Sequence, residues 1–474
     1  MRSPSLGEVR TTFSTYSSVG CGFNHRGASG DHKQNRDVAG SPCAGVLMTP
    51  ADPAEQSTRG SWSRYDDAMH ILFAHQNFPA QFGQIATWWS QVRGGRSTFV
   101  SSKSPGHVPG LEHIQYKIAG GARESNHYCS RTFENQTWNS HGLYEALRAR
   151  PDIQPDLIVA HSGFVSSLFL RELYPRTPQI GYFEFFYHAH DSDMDFRTDL
   201  PEPEPINLLR SRSRNAQILL DLNNCDAGYS PTAFQRSQLP PEYQPKIRTI
   251  FDGIDINFWK RDPHPTRTFN GVTLPDGCRV VTYVSRGFES LRGFDIFLQA
   301  ADRICRERPD THVVVVGEDR ICYGGDSAFT EGKTFKQWAI HKYQPDLSRI
   351  HFVGRITPPQ LVQLFSLSDL HIYLTAPFVL SWSLFNALSC GCPVLASDTA
   401  PVREIIHDGE TGLLRNFFDV AGLTESALNL LDAPAKFQHL GENGRALIES
   451  RYRQDLCLGQ IESLFREVVQ AAAK

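Results

Sequence analysis

Residues 375–404 read TAPFVLSWSLFNALSCGCPVLASDTAPVRE, and this stretch decides the fold of the chain around it. It predicts a short loop, an apolar helix over 383–389 and a helix end at Gly391, after which Pro393 prevents the helix from resuming. A buried strand is predicted to start at 394–396. Because the first N–H groups of a helix lack partners within it, a helix that begins at a serine-rich loop is a ready phosphate site.

Strands alternate with helices on the N-terminal side of this stretch. In the C-terminal half, strands are predicted over 280–284, 312–317, 350–353 and 370–374, and helices over 293–308, 335–341 and 358–367. In the N-terminal half, strands are predicted over 69–74, 97–100, 156–161, 179–184 and 247–250, and helices over 165–174 and 206–223. Such alternation is typical of parallel sheets covered by helices. The expected fold class is α/β, with two Rossmann-like, doubly wound domains facing each other across a cleft.

The composition of successive segments predicts the domain boundaries. Residues 1–68 are rich in Ser, Gly, Arg and Asp, lack periodicity and contain no apolar segment of a secretory signal, so we expect a disordered extension. The expected order is then an N-terminal Rossmann-like domain over 69–262, a linker over 263–278, a C-terminal Rossmann-like domain over 279–445 and C-terminal helices over 446–474. A return of those last helices to the N-terminal domain stays open.

Composition also limits the function classes. A net charge of −4 gives no reason to expect nucleic-acid binding, and no window approaches 18 consecutive apolar residues, so no membrane span is predicted. The ten Cys are scattered without a CxxC motif, which favours reduced thiols and a cytoplasmic location. Arg210, Arg212 and Arg214 favour a solvated helix face, and they leave open a weak peripheral contact with an anionic membrane.

The run from His188 to Asp195 contains metal-ligand residue types, and its Asp193-Met194-Asp195 segment has the Asp-x-Asp pattern. A solvated loop on the acceptor side is the favoured interpretation. We therefore expect no metal.

Several motifs combine with the opening stretch. They are Val284-Ser285-Arg286, Leu291-Arg292-Gly293, Val315-Val316-Gly317, His351-Phe352-Val353-Gly354, Ala387-Leu388-Ser389-Cys390-Gly391-Cys392-Pro393-Val394 and Asp408-Gly409-Glu410-Thr411-Gly412. With them, residues 280–415 resemble the retaining glycosyltransferases of family four, which have the two-domain GT-B architecture. The resemblance is looser over 69–260, and the chain is similar to a divergent, bacterial-type member.

The resemblance implies transfer of a sugar from a nucleoside-diphosphate sugar to a saccharide or other hydroxyl acceptor, with retention of anomeric configuration. No cofactor or metal beyond this co-substrate is implied. In the family, an Arg and a Lys at the positions of Arg286 and Arg292 contact the donor diphosphate, and a histidine at His161 lies near the donor sugar. Fixed cations suit this chemistry because the leaving diphosphate gains negative charge.

The resemblance also assigns the remaining candidate residues. With the two arginines, the expected donor-binding residues are Gly83, Gly317, Phe378, Val379, Leu380, Ser381 and Asn386. The weaker acceptor-binding candidates are His75, Asn77, Glu184 and His188. Phe378 and Asn386 stand where most members carry two glutamates, and Phe378 cannot replace a carboxylate.

This departure keeps two alternatives open: a catalytically impaired nucleotide-sugar-binding protein, and a sugar-nucleotide epimerase of the same fold. A nicotinamide dehydrogenase is disfavoured because the loops after Ala74, Val284 and Val316 lack GxGxxG. The nucleotide, the sugar, the acceptor and the oligomeric state are not predicted.

Overall fold

The computed structural model describes residues 69–103 and 107–474, so the expected extension over 1–68 lies outside the described residues. Within them, two parallel sheets are each flanked by helices, which confirms the predicted α/β class. The N-terminal sheet has the order β3-β2-β1-β4-β5-β6-β7. Its strands are β1 (His70–Ala74), β2 (Arg96–Ser101), β3 (Glu112–Gln115), β4 (Leu157–Ser162), β5 (Gln179–Phe183), β6 (Ala227–Ser230) and β7 (Ile247–Thr249).

Six helices accompany this sheet. They are α1 (Gly83–Gln91), α2 (Arg131–Arg148), α3 (Leu170–Leu173), α4 (Pro205–Arg214), α5 (Ala216–Asn224) and α6 (Ala233–Ser237). A two-stranded hairpin, β8 (Thr268–Phe269) and β9 (Val272–Thr273), lies between the two sheets in sequence.

The C-terminal sheet has the order β12-β11-β10-β13-β14-β15. Its strands are β10 (Arg279–Gly287), β11 (Thr311–Glu318), β12 (Ile350–Gly354), β13 (Leu370–Tyr373), β14 (Val394–Ser397) and β15 (Leu413–Arg415). Its helices are α7 (Phe294–Glu307), α8 (Phe335–Tyr343), α9 (Pro358–Leu367), α10 (Trp382–Ser389), α11 (Ala400–Arg403), α12 (Val420–Asp432) and α13 (Pro434–Leu447). A π-helical turn over Ile448–Tyr452 then leads to the last helix, α14 (Gln454–Ala472).

Local sequence explains the elements that carry the opening stretch. Ser381 is the N-cap of α10 and accepts from the backbone N–H of Ser383. The helix ends at Ser389, because Gly391 takes a φ of 68°, which favours glycine. The predicted helix and the strand after it are therefore both present. The apolar runs of β11 and β13 are buried, as expected for central parallel strands.

Several expectations were wrong in detail. The helix predicted over 165–174 is only the single turn α3, and the one predicted over 206–223 divides at Asn215 into α4 and α5. Helix α2 was not predicted because its many polar residues obscure the apolar period. The segment expected as a linker contains the β8–β9 hairpin.

The last helix packs against the N-terminal sheet. The ring of Phe465 on α14 lies 6.3 Å from that of Phe73 on β1, and Glu462 pairs with Arg93 at 2.8 Å. A backbone hydrogen bond also holds the chain where it returns to the N-terminal domain: the N–H of Ile254 donates to the carbonyl of Tyr452 at 2.7 Å. The chain thus connects the two domains twice.

A loop after β5 joins the N-terminal domain to α7 through a buried ion pair. Arg197 donates to both carboxylate oxygens of Asp295 at 3.0 and 2.7 Å, and to the carbonyl of Ser290 at 2.7 Å. The Asp295 side chain is fully buried. Asp199 holds the other side of the guanidinium at 2.8 Å. We call the segment 196–199 the strap.

A second contact joins the domains at α6. Glu404 of the C-terminal domain accepts from the backbone N–H groups of Ala233 and Phe234 at 2.8 and 2.9 Å. A carboxylate at a helix N-terminus satisfies N–H groups that have no partner within the helix.

A buried carboxylate fixes the loop after β4. Asp221 on α5 accepts hydrogen bonds from Ser162 (2.7 Å) and from Ser166, and Gln217 donates to Ser166 at 2.7 Å. Burial raises the pKa of Asp221 from 3.8 to about 7, while the hydroxyl donors lower it. This network fixes Ser162, the neighbour of His161 at the end of β4, and the loop that follows it.

The strap predicts a large difference between a buried and an exposed ion pair. Arg197→Ala leaves Asp295 charged and buried without its partner, so we expect a loss of about 3 kcal/mol in the free energy of unfolding. The control, Arg148→Ala, removes an exposed pair with Glu145 and should cost less than about 0.5 kcal/mol. Denaturant unfolding measures both, and equal small losses would contradict the interpretation of the strap.

The Asp221 network predicts a pH dependence. The folded protein keeps the Asp221 carboxyl protonated above its ordinary pKa of 3.8, so its contribution to stability falls as pH rises from about 4 to about 7. The fall is at most about 4 kcal/mol. Asp221→Asn should flatten the slope of unfolding free energy against pH relative to the wild type. A residual slope is expected, since the pKa values of Asp252 and Asp326 are also raised by burial to about 7; an unchanged slope would refute this role for Asp221.

Candidate active site

The strand orders place two ligand-binding edges face to face. In each sheet the order reverses at the first strand: β1 lies between β2 and β4, and β10 lies between β11 and β13. Ligands of doubly wound sheets bind outside the carboxyl ends of the strands at such a switch point. The carboxyl ends of β4 and β10 carry His161 and Arg286, and the loop after β13 carries Phe378; all three are predicted site residues.

One pocket, which we call the arginine pocket, lies at the switch point of the C-terminal sheet. It is an open cleft of about 320 Å³. Its lining residues are Tyr283, Val284, Ser285, Arg286, Arg292, Tyr323, Tyr373, Leu374 and Ser381. Both predicted phosphate-binding arginines thus border one cavity, together with the N-cap of α10.

Arg292 is almost completely buried, with 4% of its surface exposed. It donates to the Thr375 hydroxyl at 2.7 Å and to the Val379 carbonyl at 2.9 Å. Its guanidinium also lies 5.3 Å from the ring centre of Tyr323 and 5.6 Å from that of Phe378. Arg292 therefore holds the loop after β13 while its charge stays in the pocket.

A buried carboxylate positions Tyr323. One oxygen of Glu289 accepts from the backbone N–H groups of Cys322 (2.9 Å), Tyr323 (2.7 Å) and Gly324 (3.1 Å). Burial raises the pKa of Glu289 despite these donors. The segment after β11 is thereby fixed against the arginine pocket.

A second pocket, which we call the interdomain pocket, is bounded by both domains. It has an open volume of about 380 Å³. Its lining residues are His161, Ser162, Gly163, Phe164, Glu184, Phe185, Tyr187, Ile218, Phe378 and Val379. Phe378 closes one side, and its ring centre lies 4.7 Å from that of Phe185 in the opposite domain.

His161 is 1% exposed and packs against His75 and Phe164, with ring centres 4.8 and 4.6 Å away. Its Nδ1 lies 2.9 Å from the carbonyl of Ser162 and donates to it, so in the neutral ring Nε2 is an acceptor. Within the described chain Nε2 makes no hydrogen bond. It lies 3.6 Å from an Oε2 of Glu184.

Seven of the predicted site residues line the two pockets, and their roles are proposed below. These are His161, Glu184, Arg286, Arg292, Phe378, Val379 and Ser381. Asn386 lies one turn into α10, is 6% exposed, and its Oδ1 makes no hydrogen bond to the described residues. Leu380 packs in an apolar cluster with Phe251 and Trp382.

The other candidates do not line either pocket. His75 is fully buried beneath His161, where desolvation holds its pKa well below 6.5, and its Nδ1 accepts from the N–H of Asn77 at 2.9 Å. Gly83 packs on Pro79, and Gly317 packs on Phe288 and on the carbonyl of Ser285.

His188 lines neither pocket, and its Nε2 lies 3.0 Å from the carbonyl of Gln238. We therefore place His75 and His188 in the framework of the site.

Sequence reasoning missed several lining residues. Tyr323, Tyr373 and Phe185 contribute to the pockets, and Ser162 joins its wall to Asp221. Tyr373 could have been found from the sequence, because it lies near the end of a predicted strand, where ligand-binding residues are expected. Tyr323 could not have been found in this way, because its loop is held in place by Glu289, which is distant in sequence.

Metal-ligand side chains do not cluster in the part of the chain that the structure describes: no group of three or more His, Cys, Asp or Glu comes together. In the run after His188, both oxygens of Asp195 accept from backbone N–H groups, those of Asp191 and Ser192. A search of the same residues finds no helix with the length and apolarity that a membrane crossing needs.

Two family models match this chain. One, described as Glycosyl transferase family 4 group, matches residues 93–259, and the other, Glycosyl transferases group 1, matches residues 266–447. Together they cover most of the described residues.

Individual relatives are distant. The chain is 23% identical over 225 residues to N-acetyl-alpha-D-glucosaminyl L-malate synthase of Bacillus anthracis, which is 47% of this chain and 54% of the relative. It is 25% identical over 341 residues to D-inositol 3-phosphate glycosyltransferase of Corynebacterium efficiens, covering 70% and 75% of the two chains. Spore coat protein SA of Bacillus subtilis is 23% identical over 223 residues, 45% of this chain and 56% of that protein. The matched part thus spans about half the length of the Bacillus relatives.

Solved structures share the fold. Sucrose-phosphate synthase from Thermosynechococcus elongatus superposes with a TM-score of 0.66 at 19% identity, covering 85% of this chain and 100% of that one. HepE of Anabaena in complex with UDP-glucose superposes with a TM-score of 0.60 at 16% identity, covering 84% and 100%. From the two family models and the facing pair of doubly wound domains, we conclude that the chain belongs to the glycosyltransferases of family four, with the GT-B architecture.

Proposed function

We propose that the chain transfers a sugar from a nucleoside-diphosphate sugar to a hydroxyl acceptor, with retention of anomeric configuration. The observation that carries the proposal is the arginine pocket, where Arg286, Arg292 and the N-cap of α10 at Ser381 border one cavity. Two fixed cations and a helix N-terminus form an anion site that suits a diphosphate. The interdomain pocket adjoins it across Phe378 and Val379, on the side where the attached sugar would lie.

The chemistry needs charge stabilisation at one place. As the bond between the sugar and the diphosphate breaks, negative charge grows on the leaving phosphate. Arg292 is held rigidly by the Thr375 hydroxyl and the Val379 carbonyl, so it requires little reorganisation as that charge develops. The acceptor hydroxyl then attacks from the face that the phosphate leaves, and the phosphate takes its proton.

Retention by this route needs positioning more than a protein nucleophile. Of the described residues that line the interdomain pocket, Glu184 is the sole carboxylate, and it stands beside His161. A double displacement would require a carboxylate placed against the anomeric carbon. We therefore favour front-face attack, and we expect activity to persist after treatment with EDTA.

A uridine nucleotide is the first donor to test. HepE of Anabaena, which has the same fold, was solved in complex with UDP-glucose, with UDP and glucose, and with UDP. Those neighbours are only 14–16% identical to this chain, so a panel of nucleotides is needed.

A second candidate is a protein that binds the donor without transferring its sugar. The buried ring of Phe378 favours it, because this residue replaces a motif glutamate at the wall shared by the two pockets. Incubation with a panel of nucleotide sugars distinguishes the candidates. Slow donor hydrolysis supports the transferase, and tight donor binding without any turnover, with or without a panel of hydroxyl acceptors, supports the binding protein.

The arginine pocket predicts which variants lose nucleotide binding. UDP, GDP, ADP, CDP and dTDP are screened by thermal unfolding, and at least one should raise the wild-type midpoint. Arg286→Ala and Arg292→Ala should each reduce that affinity at least tenfold, because a charge-assisted contact with the phosphates is lost. Arg303→Ala is the matched control, since Arg303 is an exposed arginine on α7 in the same domain.

Two results would contradict the proposal. Either none of the five nucleotides stabilises the wild-type protein, or the stabilisation persists unchanged in both Arg286→Ala and Arg292→Ala. Arg292→Lys is the conservative control, because Lys keeps the positive charge and can still donate to the Val379 carbonyl, so this variant should retain nucleotide binding.

A further inference from the structure

The interdomain pocket contains two polar side chains, Glu184 and His161, that face each other at ion-pair distance. Glu184 has 13% of its side chain exposed, and its Oε2 is 3.6 Å from His161 Nε2, which is too long for a hydrogen bond. His161 Nε2 is buried and makes no hydrogen bond with the described residues. A buried acceptor left unpaired is costly, so this pair is suited to donors from a ligand.

The position of Glu184 is fixed by its backbone. It directly follows β5, and its carbonyl accepts from the Nε2 of Gln235 at 2.6 Å. The carbonyl of the preceding Phe183 accepts from the Ser230 hydroxyl at 2.7 Å. With both peptide units anchored, the carboxylate is held at the pocket wall.

The remaining walls define the class of ligand. Phe185, Tyr187 and Phe378 present aromatic surface, while His161 and Glu184 present acceptors. A ligand with apolar C–H faces and several hydroxyl donors matches this combination, and a sugar ring has both. Two different hydroxyls of one sugar ring can donate separately, one to Nε2 and one to Oε2.

The sugar bound here is that of the donor, because the two pockets share a wall. Phe378 and Val379 line the interdomain pocket, and on their other side they contact Arg292 through the ring and the carbonyl. Tyr323 of the arginine pocket lies 5.5 Å from Phe378. A diphosphate at Arg292 therefore directs its attached sugar past Phe378 toward Glu184.

We propose that Glu184 is a donor-sugar-binding residue, which accepts hydrogen bonds from sugar hydroxyls together with His161 Nε2. This inference rests on the proposed function. It assigns to the N-terminal domain a carboxylate that faces Phe378, and it moves Glu184 from the acceptor side to the donor side of the reaction.

Calorimetric titration separates the sugar from the nucleotide. The ligands are the nucleoside diphosphate that gives the strongest thermal shift and the matching nucleotide sugars, such as UDP with UDP-glucose. Glu184→Gln should bind the nucleoside diphosphate within twofold of wild type, but should lose about tenfold in affinity for a nucleotide sugar that binds the wild type more tightly. Glu242→Gln removes an exposed carboxylate of the same domain and should change neither affinity.

The outcomes distinguish this inference from the proposed function. Full retention of nucleotide-sugar affinity in Glu184→Gln would overturn the sugar contact, as would an equal loss for the diphosphate and the nucleotide sugar. A wild type that gains no affinity from any sugar would also overturn it. Failure of the wild type to bind any nucleoside diphosphate would instead overturn the proposed function. Glu184→Asp, with the same titrations, replaces the Gln variant if the latter fails to fold.

Discussion

The hydrogen bond from Arg292 to the Val379 carbonyl connects the parts of the site. It joins the segment after β10 to the loop after β13, and the Thr375 hydroxyl gives the same guanidinium a second anchor. The loop is thereby held with Phe378 and Val379 between the arginine pocket and the interdomain pocket. A buried cation without hydrogen-bond partners is costly, so Arg292 needs its bonds to Thr375 and Val379 in order to be buried. The same bonds hold its charge at the arginine pocket.

This arrangement also depends on how the domains are held. The strap pairs Arg197 with the fully buried Asp295 beside the β10–α7 segment, and Glu404 binds the first N–H groups of α6. The helix α14 returns to pack on the N-terminal sheet, where Phe465 meets Phe73. These contacts bring Phe185 against Phe378, so the interdomain pocket has walls from both domains. The same contacts set the separation of Arg292 and Glu184, and therefore of the sites proposed for the diphosphate and the sugar.

The fold was largely predictable from the sequence because buried parallel strands and capped helices leave local signals. Helix α9 begins and ends as predicted, and the structure shows a capping box of Thr357 with Gln360 at its start. Helix α2 was missed because it is stabilised by tertiary contacts of polar residues, such as Asn139 with Tyr116, that periodicity does not register.

The site was predictable only where a motif identifies a position. Arg286, Arg292 and His161 could be named in this way, whereas Tyr323 and the Asp221 network depend on contacts between distant segments. His75 shows the opposite error: a polar residue after a strand looked like a ligand contact, but it is buried as support for His161. From the sequence, Phe378 meant that a motif carboxylate was missing. In the fold, the carboxylate of Glu184 lines the same pocket as Phe378.

The central claim is that one nucleotide sugar spans both pockets, and a crystal structure of the protein with its preferred nucleoside-diphosphate sugar tests it most directly. The account predicts phosphate oxygens within hydrogen-bond distance of Arg286 and Arg292, and a sugar between Phe378 and Glu184. A diphosphate bound away from both arginines, or a sugar directed away from the interdomain pocket, would contradict it.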